Sequence, residues 1–60
     1  MEDIYKELRG KVIEVYTLDG GTVLMDSFEN LTLQGFEPIR VLEAIEFDMH
    51  YKGYYYRIKN

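Results

Sequence analysis

Glu43, Glu46 and Asp48 lie close together in the chain, and His50 follows two residues later. Paired carboxylates do general acid–base work when one of them sits in a desolvated cleft that raises its pKa. A neighbouring histidine adds a general base or a switch near neutral pH. The spacing argues against such a site. On a strand, Glu46 and Asp48 share a face, and the alternating pattern after them supplies a cation for each, Lys59 and Arg57. That describes a solvated face whose ion pairs contribute about 0–1 kcal/mol each. His50 falls opposite Tyr55 on the same polar side. Ser27 stands in no recognisable relation to a histidine and an acid, so nucleophilic catalysis lacks a motif. Gly20-Gly21 is not followed by the Lys-Ser/Thr and helix of a phosphate loop. One histidine and no cysteine do not assemble the three or four ligands of a metal site. The expectation is a protein that is not an enzyme, with no catalytic residue, cofactor or metal.

The tyrosines are the remaining chemistry. Four of the six lie between Tyr51 and Tyr56. Tyrosine favours strands and is enriched at interfaces. Exposed tyrosines either stack on bases or anchor a protein contact. Seven basic side chains against eleven acidic ones leave a net charge of −4. That charge argues against neutralising phosphates, so nucleic acid is disfavoured and protein contact preferred. The candidate protein interface is Tyr51, Tyr54, Tyr55, Tyr56 and Ile58. A final strand, Tyr54 to Ile58, left at a sheet edge would pair with a second copy.

These residues need a hairpin to position them. Ile45, Phe47, Met49 and Tyr51 alternate with Glu46, Asp48 and His50; after Lys52-Gly53, Tyr54, Tyr56 and Ile58 alternate with Tyr55, Arg57 and Lys59. Period two is the mark of a half-buried strand. A two-residue turn at Lys52-Gly53 pairs Tyr51 with Tyr54, Met49 with Tyr56 and Phe47 with Ile58, and sets Asp48 opposite Arg57 and Glu46 opposite Lys59. Lys-Gly is a weaker turn signal than Asn-Gly or Asp-Gly.

Upstream, Met1 to Gly10 reads as a short helix. Ile4 and Leu8 form its stripe, Glu2 and Asp3 suit its positive end, and Gly10 suits the left-handed residue after its last turn. Lys11 to Leu18 is a strand, Asp19-Gly20-Gly21 a turn and Thr22 to Met25 the return strand. A three-residue loop pairs Val15 with Met25 and Thr17 with Val23. Leu31 to Leu33 reads as a further short strand. Phe36 to Ala44 fits two patterns. Pro38 at a first helical position with Ile39, Leu42 and Ile45 makes a helix; Ile39 and Val41 continue the alternation as a strand, which is the favoured reading.

The sum is one small domain over residues 1–60. It is mainly β, a strongly bent antiparallel sheet or partly open barrel of about five strands with a short N-terminal helix. The alternative is an α+β domain with a helix at about Pro38–Ile45. A chain of 60 residues buries only about 60% of the surface it exposes when unfolded, so its core is marginal. Without cysteine, disulfides cannot compensate, and self-association is expected. The absence of cysteine fits a reducing cytoplasm. Met1-Glu2-Asp3 begins acidic, unlike a signal peptide, and no segment is long and apolar enough to span a membrane.

Leu8-Arg9-Gly10-Lys11, Val12 and Val15, Asp19-Gly20, Ser27-Phe28-Glu29 and Asn30-Leu31-Thr32-Leu33 follow one another in an order that resembles the first motif of the Sm-like family. There a helix leads into a Gly-Lys strand, an Asp-Gly turn and a Phe-Asp segment ending in Asn-Leu-x-Leu. The match covers Leu8 to Leu33. Glu29 stands where the family has Asp, and Ile39-Arg40 lacks the glycine that follows in the family's second motif. The resemblance implies a ring-forming small barrel that binds single-stranded, uridine-rich RNA through Phe28, Asn30 and Arg40.

Overall fold

The computed structural model describes residues 3–59. Two strands, two helices and a final strand follow one another: β1 (Val12–Tyr16), β2 (Thr22–Ser27), α1 (Phe28–Leu33), α2 (Pro38–Phe47) and β3 (Tyr55–Ile58). The three strands form one open antiparallel sheet in the order β2-β1-β3. The architecture is a small α+β fold: the expected antiparallel sheet is present, but with three strands and two helices in place of the about five strands of the mainly β reading, which corrects that reading and upholds the alternative.

β1 and β2 form the expected hairpin, in a different register. Val15 pairs with Leu24 and Glu14 with Met25, and a bulge between Val15 and Tyr16 brings Tyr16 opposite Thr22. The expected pairs Val15–Met25 and Thr17–Val23 do not form. The Thr17 N–H instead bonds to the Gly21 carbonyl at 2.8 Å, and the Asp19 carboxylate accepts from the Thr17 hydroxyl, so the loop is held by its own polar groups. Closure of Thr17 on Gly21 sets the loop two residues from the expected register, and the bulge recovers one of them, so that Val15 meets Leu24 and not Met25.

Ser27 ends β2 and caps α1, its hydroxyl accepting from the Asn30 N–H at 3.1 Å. The Asp26 carboxylate accepts from the Asn30 and Gln34 side chains. The expected strand Leu31–Leu33 is therefore helical. Phe28 and Leu31, three residues apart, bury the same helix face.

α2 starts with Pro38 at its first position, where the missing N–H costs nothing. Val41 and Ala44 are buried in the core, with Leu42 and Ile45 packed against it. The helix runs to Phe47, so the strand assigned to Ile45–Tyr51 does not exist, and Phe47–Ile58 and Met49–Tyr56 are not pairs. Only the tip of the expected hairpin forms. Tyr51 and Tyr54 bond to each other across Lys52-Gly53, both of which have positive φ, 57° and 81°.

β3 pairs with β1, bringing Ile13 opposite Ile58, Glu14 opposite Arg57, Val15 opposite Tyr56 and Tyr16 opposite Tyr55. Residues 4–10 form consecutive turns, the Leu8 and Lys11 N–H groups each bonding three residues back. They pack Leu8 into the core without making a regular helix. Gly10 takes the expected left-handed conformation, φ 75°. Met1 and Glu2, expected at the start of that helix, and Asn60 lie outside the described residues. The core is Leu8, Ile13, Val15, Phe28, Leu31, Val41, Ala44 and Tyr56, set between the sheet and the two helices.

Candidate functional site

The helices cover one face of the sheet and leave the other open. Along β1, Ile13 and Val15 face the helices, so Glu14 and Tyr16 face outwards, and their partners Arg57 and Tyr55 on β3 do the same. Glu14 sits at the centre of this face with its side chain only 4% exposed. Its carboxylate accepts from Arg57 Nε at 2.8 Å and from the Thr22 hydroxyl on β2, and Lys59 Nζ lies 4.0 Å away. Bonds from Arg57 and Thr22 hold its pKa below the ordinary carboxylate value against the opposing effect of burial, so it stays ionised at neutral pH. The Arg57 guanidinium also lies over the Tyr16 ring, 4.7 Å from its centroid. Tyr16 packs on Tyr55 at 5.9 Å, and His50 meets the Tyr55 ring edge-on at 6.2 Å. A chain of aromatic and charged groups thus crosses the open face through His50, Tyr55, Tyr16, Arg57 and Glu14.

The expected tyrosine group is divided by the fold. Tyr55 is on the open face. Tyr56 is 4% exposed, packs against Phe36 and Tyr51, and its hydroxyl donates to the Tyr51 carbonyl at 2.7 Å. Burial, with Tyr51 and Tyr54 nearby, pushes its pKa up to about 12. Tyr51 is half-buried against Phe36, and its hydroxyl accepts from the Glu37 N–H at 3.0 Å, tying the start of α2 to the turn before β3. Tyr54 is half-buried beside the core. Ile58 is exposed near the end of β3. His50 does meet Tyr55, but through a ring contact and not as the expected cross-strand pair, since His50 follows a helix and Tyr55 pairs with Tyr16. Glu14 and Tyr16 were missed because their partners are about forty residues away. Only a choice of strand neighbours reveals them.

β3 is also a sheet edge. The Lys59 N–H bonds to the Val12 carbonyl at 2.9 Å. Antiparallel alternation then turns the backbone groups of Arg57 and Tyr55 towards β1 and those of Tyr56 and Ile58 away from it. Among the described residues, nothing pairs with the outward backbone groups of Tyr56 and Ile58.

The three residues of the RNA expectation are not assembled into one surface. Phe28 is buried in the core and packs on Tyr5 at 5.7 Å. The Asn30 amide donates to Asp26 at 3.0 Å, and Arg40 pairs with Glu43 at 3.0 Å on α2. Of the expected carboxylate group, Glu43 has this arginine partner, and Glu46 and Asp48 are exposed at the end of α2. Arg57, assigned to Asp48 in the sequence, belongs to Glu14, and Lys59 lies nearest the same carboxylate.

On the other side of α2, Ile39, Leu42, Glu43, Glu46 and Phe47 line a groove of about 630 Å3 with Asp3, Ile4, Lys6 and Glu7 from the N-terminal turns. Among the described residues, no three His, Cys, Asp or Glu side chains cluster in a way that would hold a metal ion, and no helix is long and apolar enough to cross a membrane. Comparison with known protein families, with curated proteins and with solved structures finds no match.

Proposed function

We propose that the protein is a non-enzymatic interaction module that self-associates by pairing β3 with β3 of a second copy. The observation that carries this reading is the outward backbone of β3 at Tyr56 and Ile58, with which nothing pairs among the described residues. An antiparallel pair centred on Tyr56 places Tyr55 opposite Arg57 of the second copy, and Arg57 opposite its Tyr55. The cation–aromatic contact already made between Arg57 and Tyr16 would then be repeated across the interface. The open face would run on through six strands. The second copy would also cover an edge that is otherwise a template for uncontrolled pairing.

Sedimentation equilibrium tests the reading, with Ile58→Pro as the variant. The Ile58 N–H points away from β1, so proline removes an intermolecular donor and no bond of the protein's own sheet. Ile58→Thr keeps that donor and controls for the lost side chain. The expected outcome is a dimer that Ile58→Pro dissociates and Ile58→Thr retains, with unchanged circular dichroism in both. A monomer at high micromolar concentration would sink the proposal. A mass increase with a short oligo-uridine, lost in Asn30→Ala, would replace it with the RNA-binding reading that the Sm-like resemblance implies.

A further inference from the structure

We infer that the groove between α2 and the N-terminal turns is a docking site for a basic amphipathic helix of a partner protein. The argument begins with α2. A helix on the surface of a small domain ordinarily carries one apolar stripe, facing the core. α2 carries two. Val41, Ala44 and Ile45 serve the core, while Ile39 and Phe47 face away from it into the groove. Phe47 is 67% exposed, and Ile4 across the groove is 56% exposed. Nothing in the fold of the described residues accounts for this second stripe.

The charges around the groove select the occupant. Four of its lining residues are carboxylates, Asp3, Glu7, Glu43 and Glu46, and one, Lys6, is a cation. Asp3 is paired with Arg9 at 2.6 Å and Glu43 with Arg40 at 3.0 Å. Glu7 and Glu46 make no ion pair among the described residues. An apolar floor with an acidic rim complements a helix with leucine-like residues on one side and lysine or arginine on its flanks. Both walls are helical or turn backbone, so the groove offers no strand edge and a partner must be read by its side chains. α2 is ten residues, about 15 Å, long, which accommodates roughly three turns of a docked helix. This surface is separate from the β3 edge, so it stands or falls independently of self-association.

The probe is a labelled synthetic 18-residue helix with leucines on one face and lysines on the other. Its controls are a leucine–glutamate counterpart and a scrambled leucine–lysine peptide. Fluorescence anisotropy should show saturable binding of the leucine–lysine helix alone, weakening as salt is raised. Phe47→Ser and Glu7→Lys/Glu46→Lys should each weaken it tenfold or more. Glu29→Lys/Glu37→Lys changes net charge equally outside the groove and should weaken it less than threefold. The same pattern is expected in the Ile58→Pro background. Equal binding of the scrambled peptide would overturn the inference, as would equal losses in the two charge-reversal pairs. So would self-association that Phe47→Ser abolishes, which would assign the groove to a second copy.

Discussion

Replacing Tyr56 by phenylalanine removes one oxygen from the centre of the fold and tests how the aromatic layer between the sheet and α2 is held. The hydroxyl donates to the Tyr51 carbonyl at 2.7 Å, and the ring stays in contact with Phe36 and Tyr51. Phenylalanine keeps the ring contacts, so the loss is one hydrogen bond, about 0.5–1.5 kcal/mol. For a domain of this size that lowers Tm by roughly 4–8 °C per kcal/mol. The pH dependence is the sharper test. Burial raises the Tyr56 pKa from 10.0 in the unfolded chain to about 12 in the fold. The neutral phenol is therefore the form that folding favours. Its contribution is fully present below pH 10 and is lost as pH rises from 10 towards 12. The slope for one proton is at most about 1.4 kcal/mol per pH unit. The advantage of the wild type over Tyr56→Phe should thus shrink above pH 10 and vanish within roughly one unit, because the variant lacks this ionisation and shares all the others. Urea unfolding of both proteins at pH 7, 9, 10 and 11, followed by far-ultraviolet circular dichroism, measures the difference. Stability curves that stay parallel through pH 11 would refute the buried, hydrogen-bonded placement of Tyr56.

Two further substitutions probe local structure. Lys52 holds a left-handed backbone, φ 57°, beside Gly53, a conformation that costs an ordinary residue roughly 1–2 kcal/mol and asparagine less. Lys52→Asn should raise stability by a few tenths to about 1 kcal/mol in denaturant unfolding, and a loss would contradict the turn. Ser27→Ala removes the α1 cap and should cost about 0.5–2 kcal/mol, with hydrogen exchange accelerated at the Asn30 amide. An unchanged exchange rate at Asn30 would count against a capped helix there.

Features that depend on a few adjacent residues are legible in the chain itself. Gly10 takes its positive φ, Pro38 opens a helix, and Tyr51 meets Tyr54 across Lys52-Gly53, each from the steric preferences of one or two residues. The turn between β1 and β2 was legible for the same reason, but not its bulge. Long-range packing sets the remainder. Ile45, Phe47 and Met49 alternate as a strand would, yet Val41, Ala44 and Ile45 also make a helical stripe. Local pattern is balanced between the two. Docking that stripe against the core beside β3 settles it, and Tyr51 fixes the start of α2 through its bond to Glu37. Once Ile45–Phe47 is helical, β3 has lost its expected neighbour and pairs with β1. Arg57 then meets Glu14, 43 residues away, and Tyr55 meets Tyr16. The candidate site follows from that exchange. Periodicity shows which face of a strand is polar, but which strand lies beside it is fixed only by the packing of the whole chain.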